Sequence, residues 1–162
     1  MIIKTKLHIP IILKFLSEQI ISYKSENLIL DIKAKHFNSH ERKIYGSNTG
    51  ECVTGLRKGQ PYKIHIKVNS GKEYPDNEKW GICLYKNKYV FDSANIFSRD
   101  EALAWILGHE FWHYFCYTKQ ERGNVETKAN ACGFRWLRAY RMKYGTSTEN
   151  KISLEMPLGT KR

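Results

Sequence analysis

His109-Glu110-Phe111-Trp112-His113 is the stretch whose reading decides this chain. It lies in the run from Ala102 to Cys116, which is apolar nearly all round and reads as a buried helix. Ser98, three residues ahead of Glu101, makes a capping box at its start. Residues four apart on a helix differ by about 40° and stand one above the other. The imidazoles of His109 and His113 can therefore grip one metal ion from the same face. Glu110 flanks that ion without joining them and is placed to take a proton from water. Two His and a Glu inside a buried helix need partners, because unpaired polar groups there are costly; one metal answers all three. Leu103, Leu107, Phe111 and Tyr114 fall on one side of this helix, and Ala102, Trp105 and Trp112 lie toward the histidines.

A catalytic zinc commonly takes three protein ligands. No His or Asp follows His113, which leaves Glu121, Glu126, Glu149 and Glu155, the last two in the tail. Glu121 sits in the polar turn 118–123 and is expected to be solvated. A last helix is expected from an Asn124 N-cap to about Lys143. With Glu126 at the reference angle, Asn130, Gly133, Leu137, Tyr140 and Tyr144 fall within about 40° of it, while Lys128, Arg135, Arg138 and Met142 point away. Glu126 is thus expected on the inward face, where a carboxylate requires a counter-charge. Zn²⁺ supplies one, and ligand type favours it over other divalent metals. Gly133 would let the two helices approach closely, and Asn130 could brace a ligand's free ring nitrogen. Tyr140 and Tyr144 are candidate donors to an oxyanion by helical face. Cys116 lies within about 20° of His109 and is a rival third ligand; a Cys in such a place is more commonly a small buried hydrophobe.

Outward from the motif, Pro10 to Lys24 reads as an amphipathic helix with Ile12, Phe15, Leu16, Gln19, Ile20 and Tyr23 on one stripe. Leu28–Ile32, Tyr62–Val68, Gly81–Tyr85 and Lys88–Phe91 read as strands, the last two joined by a turn at Lys86-Asn87. His65 shares the polar side of its strand with Lys63 and Lys67 and reads as solvated. Residues 38–61 and 69–79 read as loops, and the stretch from Gly145 onward as a loose tail. With 162 residues and 41% hydrophobic content, one soluble domain is expected.

No stretch is long enough to span a bilayer, so no membrane partner is expected. The apolar run Ile9–Leu16 is interrupted by Pro10 and Lys14, and no small-residue cleavage site follows, which argues against a signal peptide. Cys52, Cys83, Cys116 and Cys132 form no C-x-x-C pair, and a chain this size needs no disulfide staples; a reducing, cytoplasmic setting is expected. The net charge of +11 has two readings. A basic patch would suit nucleic acid or acidic partners. Alternatively, abundant Lys, Ile, Asn and Tyr reflect A/T-rich codons. The second is favoured, since no run of five basic residues occurs.

With H-E-F-W-H at 109–113 and E-T-K-A-N at 126–130, the chain resembles the gluzincin metallopeptidases, and among them the compact ImmA/IrrE-type family. The resemblance covers roughly residues 98–140. It implies an α+β, zincin-like fold: a mixed or antiparallel sheet packed on the H-E-x-x-H helix, and a second helix carrying the third ligand. It also implies one zinc ion held by His109, His113 and Glu126, Glu110 as catalytic base, and hydrolysis of a protein substrate such as a transcriptional repressor. The family tends to place small or aliphatic residues between the two His, where this chain has Phe111 and Trp112. The strand Lys88–Phe91 is expected to pair with an extended substrate by β-addition. Two other classes compete: a zinc-bearing scaffold that binds protein or DNA without cleavage, and a DNA-associated SprT-like protease, whose usual third His is missing here.

Overall fold

The computed structural model describes residues 1–36, 48–53, 59–74, 79–84, 88–93 and 95–145. The elements run β1 (Ile2–Thr5), α1 (Pro10–Gln19), β2 (Leu28–Lys35), β3 (Asn48–Val53), β4 (Tyr62–Asn69), β5 (Lys79–Leu84), β6 (Lys88–Ser93), α2 (Arg99–Tyr117) and α3 (Glu126–Tyr144). The fold is α+β. A four-stranded mixed sheet has the order β1-β2-β4-β3, and β5 pairs with β6 in a separate two-stranded sheet. β1, β2 and β4 are parallel, and β3 runs antiparallel to β4 at the edge.

Alternation decides which face of the sheet is buried. Leu28, Leu30 and Ile32 of β2 and Ile64, Ile66 and Val68 of β4 join the core, while Lys33, Lys63 and Lys67, of the opposite parity, are exposed. The buried face packs against α2, whose Leu103, Leu107, Phe111 and Tyr114 are all at most 2% exposed. α3 lies along α2. The two helices meet at a reciprocal pair of glycines: a Cβ on Gly133 would stand 2.9 Å from the Trp105 carbonyl, and one on Gly108 would stand 3.0 Å from the Cys132 carbonyl. α1 packs on α3 through Phe15, edge-on to Trp136, Tyr140 and Tyr144.

Ser98 caps α2, its hydroxyl accepting from the Glu101 N–H at 3.2 Å. The Glu101 carboxylate does not return to the cap residue's own N–H. It accepts from the Phe97 N–H and from Arg141, 40 residues away on α3, through Nε at 2.9 Å and NH2 at 2.6 Å. Both charged groups are 1% exposed, and Arg141 NH2 also donates to the Asn95 carbonyl. This buried ion pair ties the start of α2 to the end of α3.

Several expectations are corrected. The stretch 38–61, read as loop, contains strand β3. The first helix ends at Gln19 rather than Lys24, and β2 runs on to Lys35. α3 starts at Glu126 with Val125 as its cap residue and no side-chain cap, so Asn124 is not the N-cap. Glu121 is half-buried and accepts from the Tyr23 hydroxyl at 3.0 Å. The turn at 86–87, Glu149, Glu155 and the tail from 146 lie outside the described residues. Cys52, Cys116 and Cys132 are free thiols, and no described helix is long and apolar enough to cross a membrane.

Candidate metal centre

His109 and His113 project from consecutive turns of α2 toward the first residue of α3. Their Nε2 atoms are 3.2 Å apart. The Glu126 carboxylate closes the triangle, Oε2 lying 3.4 Å from His109 Nε2 and Oε1 3.3 Å from His113 Nε2. Among the described residues, His109, His113 and Glu126 form a group whose ligand atoms all lie within 4.8 Å of one another. Cys116 is not part of it.

The other nitrogen of each ring is engaged. His109 Nδ1 stands 2.9 Å from Asn130 Oδ1, and His113 Nδ1 stands 2.6 Å from Asn124 Oδ1. An amide oxygen only accepts, so each Nδ1 carries the hydrogen and each Nε2 keeps its lone pair. Two lone pairs and a carboxylate thus converge at 3.2 to 3.4 Å, where they repel unless a metal ion or a proton lies between them. The edge of a tetrahedron with metal–ligand bonds of about 2.0–2.1 Å is roughly 3.3–3.4 Å. The donor set, its spacing and its bracing therefore fit one divalent ion such as Zn²⁺, which suits mixed imidazole and carboxylate ligation.

Glu126 differs from expectation in one respect. Its side chain is 61% exposed, so it sits at the mouth of the site rather than on the inward apolar face. Asn130, Gly133, Leu137 and Tyr140 on the same stripe are buried as expected. Glu126 opens the helix, beyond the edge of the core, so what selects it as a ligand is its aim at two imidazoles. Without a metal, a proton taken up on His109 Nε2 hydrogen-bonds to the Glu126 carboxylate and draws it below the usual range, against a smaller opposing effect of burial. For His109, burial disfavours the charged ring, but the Glu126 hydrogen bond, the Glu110 charge and the Asn130 contact outweigh it and raise its pKa. Trp105 stacks on the His109 ring, with centroids 5.3 Å apart, and walls that side of the site.

Glu110 stays outside the triangle. Its Oε1 is 4.0 Å from His109 Nε2, and the residue is 6% exposed. Burial, helped by the charges of Glu126 and Glu51, pushes its carboxyl up to about 7, against the His109 charge and a hydrogen bond from the Cys52 backbone. That bond comes from β3, which crosses directly over Glu110. A Cβ on Gly50 would stand 2.6 Å from Glu110 Oε1 and 2.7 Å from Ile106 Cγ2, so only glycine lets the strand come this close. Burial also pushes the neighbouring Cys52 thiol up to about 12, which keeps it neutral.

Asn124, Gly50 and the Cys52 backbone were not assigned to the site from sequence. Asn124 carried a signal, standing two residues before Glu126, but it was read as a cap. Gly123 adopts a φ of 85° just before it, and its carbonyl accepts from Trp112 Nε1 at 3.2 Å. The turn is thereby pinned to α2 with the Asn124 amide against His113. Tyr140 and Tyr144 are corrected. Both pack around Phe15 of α1, and the Tyr144 hydroxyl contacts Glu18 at 3.4 Å. They stand 14 and 18 residues along α3 from Glu126, about 21 and 27 Å at a rise of about 1.5 Å per residue, too far to reach the cluster. The strand Lys88–Phe91 belongs to β6, paired with β5, and the strand that lies against Glu110 is β3. No known protein family, curated protein or solved structure matches the chain.

Proposed function

We propose that the chain is a zinc-dependent endopeptidase acting on a protein substrate, with His109, His113 and Glu126 as ligands and Glu110 as the catalytic base. The observation that carries this reading is the convergence of three lone-pair donors at tetrahedral-edge spacing beside a second, buried carboxylate that stays out of the triangle. Zinc bound there would supply Lewis acidity, making water more acidic and a scissile carbonyl more electrophilic.

The chain's own groups account for the rest. Glu110, buried beside the triangle without joining it, is placed to accept a proton from water and return it to the leaving amine. Asn130 and Asn124 hold the two rings in the tautomer that presents Nε2. β3 lies at the sheet edge beside Glu110, and an extended peptide could add to it as a further strand. A regulatory protein such as a repressor is the substrate class in line with the resemblance of 109–113 and 126–130. The free thiols accord with a cytoplasmic setting.

The test pairs two variants. Glu110→Gln is expected to retain one equivalent of zinc and lose hydrolysis of an unfolded protein or peptide library by at least about a hundredfold, within the range for a positioned base. Glu126→Ala is expected to lose both. A Glu110→Gln protein that still cleaves at the parent rate contradicts the assignment. A zinc-loaded parent that cleaves no peptide bond makes the chain a metal-bearing scaffold.

A further inference from the structure

The face of the four-stranded sheet turned away from α2 has no part in the metal centre, and its chemistry is distinctive. On β1, Lys4 pairs in register with Asp31 of β2; Lys33 of β2 pairs with Lys67 of β4; Lys63 stands four residues before Lys67. All four lysines are exposed, and all point to the same side, because residues in register share a face and residues two apart return to it. Among the described residues, no helix covers them: α2 takes the opposite face, α3 packs on α2, and α1 packs on α3. We infer that this open lysine-bearing face is a docking surface for the phosphate backbone of duplex nucleic acid.

Asp31 and Glu51 lie on this face, with His65 between them in register. Asp31 is held by Lys33 Nζ at 2.7 Å and by His65 Nδ1 at 3.5 Å, yet the Lys33 side chain remains 70% exposed and can turn outward. The four exposed lysines, with half-buried Lys35 two residues beyond Lys33, outnumber the two carboxylates and leave the face positive. Where β1 ends, a cleft whose charged lining is Lys4, Lys6, Asp31 and Lys33 opens beside the same face, and Lys6 adds a further base.

The arrangement favours a duplex over other anionic partners. Strands stand about 4.8 Å apart and rise about 3.3 Å per residue, so the lysines span roughly 10 by 13 Å. A duplex presents about eight phosphates over 13 Å of its axis. Protein–protein interfaces are depleted in lysine and anchored by Tyr, Trp and Phe, and the described outward side chains of β1, β2 and β4 include none of these three. The same lack argues against single strands, which are held by stacking on aromatics. Recognition through lysine and phosphate alone is independent of base sequence. This inference does not depend on the hydrolytic reading, since the face lies on the other side of the sheet from Glu110.

The test is fluorescence anisotropy of a labelled 20-base-pair duplex of arbitrary sequence, titrated with the full chain from 50 to 200 mM salt. Replacing Lys4, Lys33, Lys63 and Lys67 together by Gln is expected to weaken binding by at least about tenfold at 100 mM salt and to flatten the log–log salt slope by about 3. Replacing Lys14, Lys24, Lys119 and Arg138, all exposed on the helical side, by Gln makes the same change in net charge and is expected to alter affinity less than about threefold. The Lys→Arg version of the first set keeps the charge and should bind like the parent, which separates lost charge from a folding defect. Three results would overturn the inference: no duplex binding by the parent at 50 mM salt, equal losses in the two Gln sets, or tighter binding to poly-glutamate than to the duplex.

Discussion

The two asparagines that brace the histidines should differ in importance, and the structure sets the order. Asn130 is 3% exposed and accepts from His109 Nδ1 at 2.9 Å, inside the α2–α3 contact. In Asn130→Ala, the His109 N–H is left without its partner in a ring walled by Trp105. An unpaired buried donor costs about 1–3 kcal/mol, which corresponds to about 5- to 150-fold and brackets the 10–100-fold typical of such braces on metal ligands. Asn124 is exposed, so water can replace its amide once it is removed. Asn124→Ala should therefore weaken zinc binding by less than about tenfold. Competition against a chromophoric chelator at pH 7.5 reads both dissociation constants directly. The reasoning is refuted if Asn130→Ala binds zinc within about twofold of the parent, or if Asn124→Ala is the weaker binder of the two.

Three other outcomes follow from the packing around the site. In the presence of chelator, the folded state prefers Glu110 protonated; that contribution to stability is fully present below pH 4.5 and is lost as pH rises through about 7. Glu110→Gln should thus match the parent's unfolding free energy near pH 4.5 and exceed it above pH 7.5, by up to about 3 kcal/mol, as measured by urea titration at the two pH values. Glu101→Ala leaves the buried Arg141 charge unpaired and should lower stability by about 3–5 kcal/mol, whereas Glu101→Met with Arg141→Met should recover most of the loss; urea unfolding of the three variants decides it. Gly50→Val forces β3 off Glu110 and Ile106 and should destabilise by about 1–3 kcal/mol, with loss of the Cys52 N–H protection in hydrogen exchange.

What could be read from the sequence was local in kind. His109, Glu110 and His113 lie on two consecutive turns of one helix, so period alone places them together. β4 alternates from Tyr62 to Val68 because one face is buried; β2 does so less strictly, since Ile29 is apolar and Asp31 is buried between Leu30 and Ile32. Helical angle correctly put Asn130, Gly133 and Leu137 on the inward stripe of α3. It could not supply height along the axis, and that is why Tyr140 and Tyr144 were placed at a site about four helical turns away, and why Glu126 was expected to be buried. β3 was missed because Asn48 to Val53 has no apolar alternation; pairing with β4 and the contact of Gly50 with Glu110 make it a strand, and both partners are distant in sequence. The Glu101–Arg141 pair spans 40 residues and is likewise invisible to local pattern. Asn124 looked like a cap because Asn often is one; here its amide is committed to His113 instead.

The central claim is that His109, His113 and Glu126 together hold one divalent ion, and metal stoichiometry with ligand-resolved spectroscopy tests it most directly. Cobalt-substituted protein should bind one equivalent and show the intense visible bands of a four-coordinate site, with those bands lost in Glu126→Ala and in His113→Ala. Binding of a full equivalent with unchanged bands in Glu126→Ala, or no binding by the parent at micromolar metal, would contradict it.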